Sequence, residues 1–182
     1  MLNNMNIISL PFFIFFTVIF VLYWTIFKKS NTIQNWLLLI GSYVFYSAAN
    51  IKFLALLIGI SLLNFWLGIQ IEKTQSLQRK KMLLMIGVIQ GVGVLLFFKY
   101  CNFFIGSFNR LFGSLNINLD FLKIIIPLGI SFFTFKSLSY LLDIQKGKTK
   151  ACKDWLIFFN YISFFPTMLA GPIDKSIKFI PQ

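Results

Sequence analysis

The chain has 182 residues, of which 58% are hydrophobic, 19% aromatic and only 12% charged, and its mean hydropathy is +0.80. Water-soluble domains are about 45–50% apolar and about 25% charged, so this composition excludes a soluble globular protein and predicts an all-α, polytopic membrane protein. The net charge of +12 comes from cations scattered between apolar runs; with no basic stripe or RNA-reading motif, they fit cytoplasmic loops facing anionic headgroups and exclude nucleic acid as a partner.

About six hydrophobic segments follow in order. Residues 7–27 form the first predicted span, too long for a signal-peptide core, with Tyr23 and Trp24 at interfacial depth and Lys28 and Lys29 as a stop. Residues 33–47 are a shorter apolar arm and 50–71 a full-length one, and the tight connection at Ala48, Ala49 and Asn50 predicts an antiparallel hairpin. Asn64, inside the second arm, is expected to bond a neighbouring helix. Residues 72–81, with Lys73, Arg79, Lys80 and Lys81 against Glu72, predict a cytoplasmic loop. Residues 82–98 form the next span, where Gly87 and Gly91 in GxxxG spacing, with Gly93 beyond, predict close approach of a second helix.

The pattern weakens over 99–123. Phenylalanines at 103, 104, 108 and 112 recur at roughly helical spacing among Lys99, Asn102, Asn109 and Arg110. Two readings stand side by side: an amphipathic helix in the membrane interface followed by a turn-rich segment over 113–118, or core packing in a larger assembly.

Residues 124–147, IIIPLGISFFTFKSLSYLLDIQKG, concentrate the polar side chains of an otherwise greasy chain. The stretch is long enough to span, since about 20 helical residues cross the hydrocarbon. Lys136, Tyr140 and Asp143 lie i, i+4, i+7 and so share one helix face. A charge at membrane depth costs about 2.5–3.5 kcal/mol on insertion scales, which leaves Lys136 either lining a polar pathway or snorkelling towards the interface. A basic loop over 143–154 follows, and then a last span over 155–173, interrupted by Pro166 and by Gly171 and Pro172. A broken helix is tolerated in a membrane where protein or a cavity satisfies the freed backbone, which points to an internal site.

Alternating these spans places ten basic residues on one side and six on the other, which predicts an extracytoplasmic N-terminus. Cys101 and Cys152 are too far apart for a CxxC or zinc pattern, so no metal is expected. Cys152, in the basic loop, reads as an unmodified structural cysteine. The chain has no histidine. The commonest general base is missing, and Ser-His or Cys-His nucleophile arrangements are excluded within these residues.

The blocks PLGISFFTFKSLSYLLDIQKG (127–147) and YISFFPTMLAGPIDKSIKFIPQ (161–182) resemble two signature blocks of the membrane-bound O-acyltransferase family. FKYCNFF (98–104) and FYSAANIKFLALLIGISLLNFWLG (45–68) are similar to its polysaccharide-acetylating, alginate O-acetyltransferase-like branch. The resemblance implies a ring of transmembrane helices around a tunnel in a bacterial plasma membrane. Through it an acyl group, acetyl in this branch, passes from a cytoplasmic thioester donor to a hydroxyl of an extracytoplasmic polysaccharide. It implies as partners the lipid bilayer, a cell-envelope polysaccharide and extracytoplasmic acetylation proteins, with no tightly bound cofactor.

Matched to the signature blocks, Ser131, Thr134, Lys136, Asp143 and Asn160 are the implied tunnel-lining residues, with helix packing as the alternative role for each. Lys136 stands where relatives more usually carry glutamine. The family's histidine lies beyond the segment matched here, so the resemblance implies one transmembrane domain over 1–182, the N-terminal part of a longer one, with no catalytic residue and no activity alone. A D-alanyl-transferring relative, a non-enzymatic transporter or scaffold subunit, and an inactive truncated product are the alternatives.

Overall fold

The computed structural model describes residues 10–26, 30–112, 119–168 and 176–180, and all regular structure among them is helical. Helix α1 (Leu10–Val21) runs on through a π-helical turn over Leu22–Ile26. Helices α2 (Asn31–Ala49) and α3 (Ile51–Lys73) follow, then α4 (Leu77–Leu95), a second π-helical turn over Leu96–Tyr100, and α5 (Cys101–Phe112). Helix α6 (Ile130–Gln145), α7 (Trp155–Ser163), and the single turns α8 (Phe165–Met168) and α9 (Ser176–Phe179) complete the order. Lys28, Lys29, the 113–118 segment, Gly171 and Pro172 lie outside the described residues.

Local chemistry sets the boundaries. The α2–α3 connection is the single extended residue Asn50, whose Oδ1 accepts from the Lys52 N–H at 2.9 Å and so caps α3. Asp154 caps α7 in the same way, its Oδ1 accepting from the Leu156 N–H at 2.8 Å and the Ile157 N–H at 3.4 Å. Helix α6 starts later than its apolar run predicts: residues 124–126 are not helical. Pro127 disfavours the helical region at Ile126, and Gly129 takes a left-handed φ of 67°, which a side chain would resist. The helix ends in a Schellman motif: Gly147, at φ 70°, donates to the Ile144 carbonyl and Lys148 to the Asp143 carbonyl, both at 2.9 Å.

One predicted loop changes character. Residues 72–81 are mostly helix, because Leu77 to Lys81 supply a polar first turn and a half to α4 and leave only Thr74 to Ser76 as the connection. Residues 101–112 continue from α4 through the π-helical turn, so that helix runs without interruption over Leu77–Leu111. That helix and α3 are the two described helices long and apolar enough to cross a membrane.

The bundle is built around α6, which packs on α3 and α4 on one side and on α7 on the other, while α7 packs on α2 and α3. Its buried residues, among them Ile130, Phe133, Lys136, Tyr140 and Leu141, leave only Phe135 and Leu142 exposed along the helix. Gly87 and Gly91 of α4 are buried where α6 comes closest: a Cβ on Gly91 would meet the Thr134 methyl at 3.0 Å, and one on Gly87 would meet the end of Leu141. Gly93 faces open space. The GxxxG spacing therefore marks a real helix contact. A cluster of Phe15, Phe45 and Phe165, with ring centroids 5.4–6.2 Å apart, ties α1, α2 and α8 together. Large apolar residues such as Phe13, Phe20, Leu62, Trp66 and Ile89 point outward, as a surface bathed by lipid requires and a watery one does not allow.

Gly68 carries a sharp test of this packing. A Cβ there would sit 2.6 Å from Cε1 of Tyr140, a fully buried ring whose hydroxyl already accepts from the Cys152 N–H at 3.0 Å and so cannot swing away. Gly68→Ala should lower stability in detergent by about 1–3 kcal/mol by overpacking. Gly59→Ala, at a position with nothing within 4 Å, should be neutral or slightly stabilising. Equal unfolding midpoints for the two variants would refute the α3–α6 fit.

Candidate functional site

The polar interior forms where α6 meets the break between α7 and α8. Lys136 is 1% exposed. Its Nζ donates to the Tyr161 carbonyl at 3.2 Å and to Thr167 Oγ1 at 2.7 Å, and lies 5.6 Å from the centroid of the Tyr161 ring. The Tyr161 hydroxyl in turn donates to the Lys136 carbonyl at 3.3 Å. Each residue thus bonds the other's backbone through its side chain, and an ammonium near an aromatic face adds a cation–π attraction. Lys136 does not snorkel. A shell of carbonyl, hydroxyl and ring holds it inside the bundle.

The same contacts explain how the chain stops being helical at Phe164. Tyr161 is three residues from the break, so its carbonyl is one of those that lose their intrahelical partner, and Lys136 supplies the missing donor. On the far side, the Phe165 N–H donates to Ser42 Oγ of α2 at 3.3 Å, and Thr167 donates to the Phe164 carbonyl at 3.3 Å. Helices α2 and α6 therefore satisfy the break from opposite sides. Pro166 falls in the first turn of α8, where a missing N–H costs nothing.

The other sequence-predicted residues are spread around α6 and α7. Thr134 is buried towards α4, its methyl against Gly91. Asn160 is buried towards α2, its Nδ2 donating to the Asn35 carbonyl at 2.8 Å. Asp143 is half-buried near the C-terminal end of α6, and Ser131 is half-buried in its first turn. Lys136 is brought together with Tyr161 and Thr167, and none of the five residues lines the three apolar grooves on the outside of the bundle. Three of the five share a feature. Thr134 Oγ1, Asp143 Oδ2 and Asn160 Oδ1 are buried with no hydrogen-bond partner among the described residues. Each such group costs about 1–3 kcal/mol where nothing pairs with it, so three around one helix pair are expensive unless something else bonds them.

Several polar residues fall outside the sequence-predicted set. Tyr161 and Thr167 stand within a quoted signature block, but their role depends on Lys136, 25 and 31 residues away. Gln90 of α4 accepts from Asn64 Nδ2 at 3.0 Å and supplies the neighbour expected for Asn64. Asn102 and Asn109 each bond both backbone groups of one residue, Leu122 and Leu119 respectively, at 2.8–3.0 Å. At the end of α6, Cys152 is buried and its Sγ donates to the Asp154 carbonyl at 3.2 Å. Burial raises its thiol pKa above the ordinary value. No group of three or more His, Cys, Asp or Glu residues suited to a metal occurs among the described residues.

Comparison with known proteins gives these features a family context. The chain is 37% identical over 175 residues to a protein named probable alginate O-acetylase AlgI from Pseudomonas aeruginosa, matching 93% of this chain and 32% of the relative. It is 33% identical over 171 residues to a peptidoglycan O-acetyltransferase from Helicobacter pylori, matching 81% of this chain and 32% of the relative. A shorter match, 38% identical over 53 residues, links 29% of this chain with 13% of a teichoic acid D-alanyltransferase from Lacticaseibacillus rhamnosus. The chain thus spans about a third of the length of the first two relatives. No family model and no solved structure matches it.

Two measurements test the interior. Lys136→Met removes the donor at the Tyr161 carbonyl and should cost about 1–3 kcal/mol in detergent unfolding. Lys136→Gln, which keeps an N–H donor, should lose less, and equal losses would rule out a hydrogen-bonding role. For Cys152, the raised pKa leaves less thiolate at pH 7.5 than a free cysteine has, so maleimide labelling in the folded protein should be slow and should accelerate on unfolding. The sign for stability follows. Burial of the neutral thiol stabilises fully below the ordinary thiol pKa, and that contribution is lost as pH rises through the raised one.

Proposed function

Because the chain belongs to the membrane-bound O-acyltransferase family, with the alginate O-acetylases and the peptidoglycan O-acetyltransferase it matches, we propose that it contributes to O-acetylation of a cell-envelope polysaccharide. The carrying observation is the 37% identity over 93% of the chain, since a likeness on that scale includes the polar α6–α7 interior as well as the lipid-facing surface. In this reading a thioester donor on the cytoplasmic side gives up its acyl group to an acceptor hydroxyl on the other side. The new ester C–O bond forms as the thioester C–S bond breaks, and the hydroxyl proton ends on the departing thiol.

About six membrane segments, an extracytoplasmic N-terminus and a bacterial plasma-membrane location complete the proposal, together with extracytoplasmic proteins as further partners. The tunnel reading assigns Ser131, Thr134, Lys136, Asp143 and Asn160 to the wall of the acyl path. It is supported by the three unpartnered oxygens, which are acceptors suited to hydroxyl or amide donors of a ligand or of further helices. Lys136 then acts as a positioning residue: it holds the α7–α8 break through the Tyr161 carbonyl and Thr167 Oγ1. With no histidine in the sequence, general-base catalysis is assigned to none of these residues.

One observation favours a second acyl group, because the short match to a teichoic acid D-alanyltransferase shows that related sequence also occurs in a D-alanyl-transferring protein. Both readings are separated by mild alkaline release of esters from envelope polymers of cells with and without the gene. Loss of released acetate on deletion, restored by the gene, is the expected result. Loss of D-alanine would move the assignment to the second reading, and unchanged levels of both would overturn enzymatic acyl transfer.

A further inference from the structure

Helix α5 and the segment after it form an appendage whose surface chemistry points to a partner of its own. Asn102 and Asn109 lie seven residues apart, about 10.5 Å along a helix, while Leu119 and Leu122 lie three apart, about 10 Å along extended chain. The spacings coincide, and each asparagine side chain donates to the carbonyl and accepts from the N–H of one leucine. The extended segment is thereby fastened along α5 in the reverse direction.

The faces of this appendage differ. On one side Phe97, Cys101, Phe104, Ile105, Phe108 and Leu119 line an open apolar groove of about 460 Å³. Arg110 stands nine positions after Cys101, about half a turn round at 100° per residue, and Lys99 falls on the same far side. Lys123 and Asp120 follow on the fastened segment, so the appendage carries three cations and one anion. Phe104 is 56% exposed, Leu111 73% and Ile125 68%.

Position along the helix fixes where these faces lie. From Lys81 to Lys99 is 18 residues, about 27 Å of rise, close to the roughly 30 Å of bilayer hydrocarbon. The π-helical turn over Leu96–Tyr100 falls at that boundary, and such turns are frequent points of helix bending. Carried straight on, α5 would take Phe104 and Leu111 into water. Laid in the headgroup layer, it keeps them among acyl chains and sets Lys99 and Arg110 beside phosphates.

We propose that α5, with its asparagine-fastened segment, is a docking surface for the anionic lipid interface at the end of α4 opposite Arg79, Lys80 and Lys81. It extends the acyltransferase reading without depending on it, since it uses no residue of the α6–α7 interior.

The test uses the full chain with Cys101→Ser and Cys152→Ser, in nanodiscs of phosphatidylcholine alone or mixed with phosphatidylglycerol. Serine keeps the donor that Cys152 directs at the Asp154 carbonyl. A nitroxide is attached at Phe104→Cys, Leu111→Cys or Arg110→Cys, and its collisions with oxygen, enriched in the bilayer, are compared with those of a water-soluble nickel chelate. Labels at 104 and 111 should favour oxygen and the label at 110 nickel. Phosphatidylglycerol should shift the label at 104 deeper, and Lys99→Gln, Arg110→Gln and Lys123→Gln together should abolish that shift. Nickel access at 104 and 111 would overturn the proposal, as would shielding from both reagents, the sign of a protein cover, or equal depth in the two lipid mixtures. Circular dichroism and monodisperse elution select folded variants, and the two apolar-face labels guard against one site failing.

Discussion

The reciprocal bond between Lys136 and Tyr161 is the constraint on which the interior depends. It crosses between two buried helices, uses both backbone carbonyls, and places an ammonium where hydrocarbon would otherwise be. A lysine alone at that depth would be expelled towards an interface or would draw in water. Here the break in the following helix supplies an unpaired carbonyl and Thr167 supplies a hydroxyl, so the charge and the break stabilise each other. Removing either leaves the other unsatisfied, which is the situation in which buried polar groups cost most.

Close packing makes that arrangement possible. Gly68, Gly87 and Gly91 let α3 and α4 approach α6 closely enough to bury Tyr140, Leu141 and Thr134. Small residues at helix contacts matter more in a membrane than in water, because lipid is as apolar as leucine and cannot drive the helices together. Van der Waals fit and internal hydrogen bonds remain. Asn64 with Gln90, Asn160 with Asn35, and Ser42 with Phe165 are among the bonds that cross between elements. The lipid side is left to Phe, Ile and Trp.

How much of this was legible in the sequence depended on distance along the chain. The shared face of Lys136, Tyr140 and Asp143 followed from helical spacing, as did the close approach at Gly87 and Gly91, because both are properties of one helix. The broken last span followed from Pro166. What stayed hidden was pairing over long separations: Lys136 with Tyr161, Asn109 with Leu119, Ser42 with Phe165. The late start of α6 was visible in Pro127 and Gly129 but outweighed by the apolar run around them. The helical 77–81 segment was hidden by its charges, since a polar extension of a membrane helix and a polar loop have the same composition. Tunnel candidates chosen by family likeness fell on buried positions of α6 and α7 in three cases and on half-buried ones for Ser131 and Asp143.

The unpartnered oxygens connect architecture to chemistry. The Thr134 methyl lies against α4, Asn160 bonds α2 through its Nδ2 and Asp143 is near the end of α6, and none of the three lines an apolar groove on the outside of the bundle. A pore wall completed by these helices alone would gather its acceptors on one surface. Residues placed this way suit a wall to which further helices contribute, with the Lys136 and Tyr161 bonds holding α6 to α7. On that argument α6 and α2 hold α7 at its break, where Lys136 satisfies the Tyr161 carbonyl and Ser42 the Phe165 N–H.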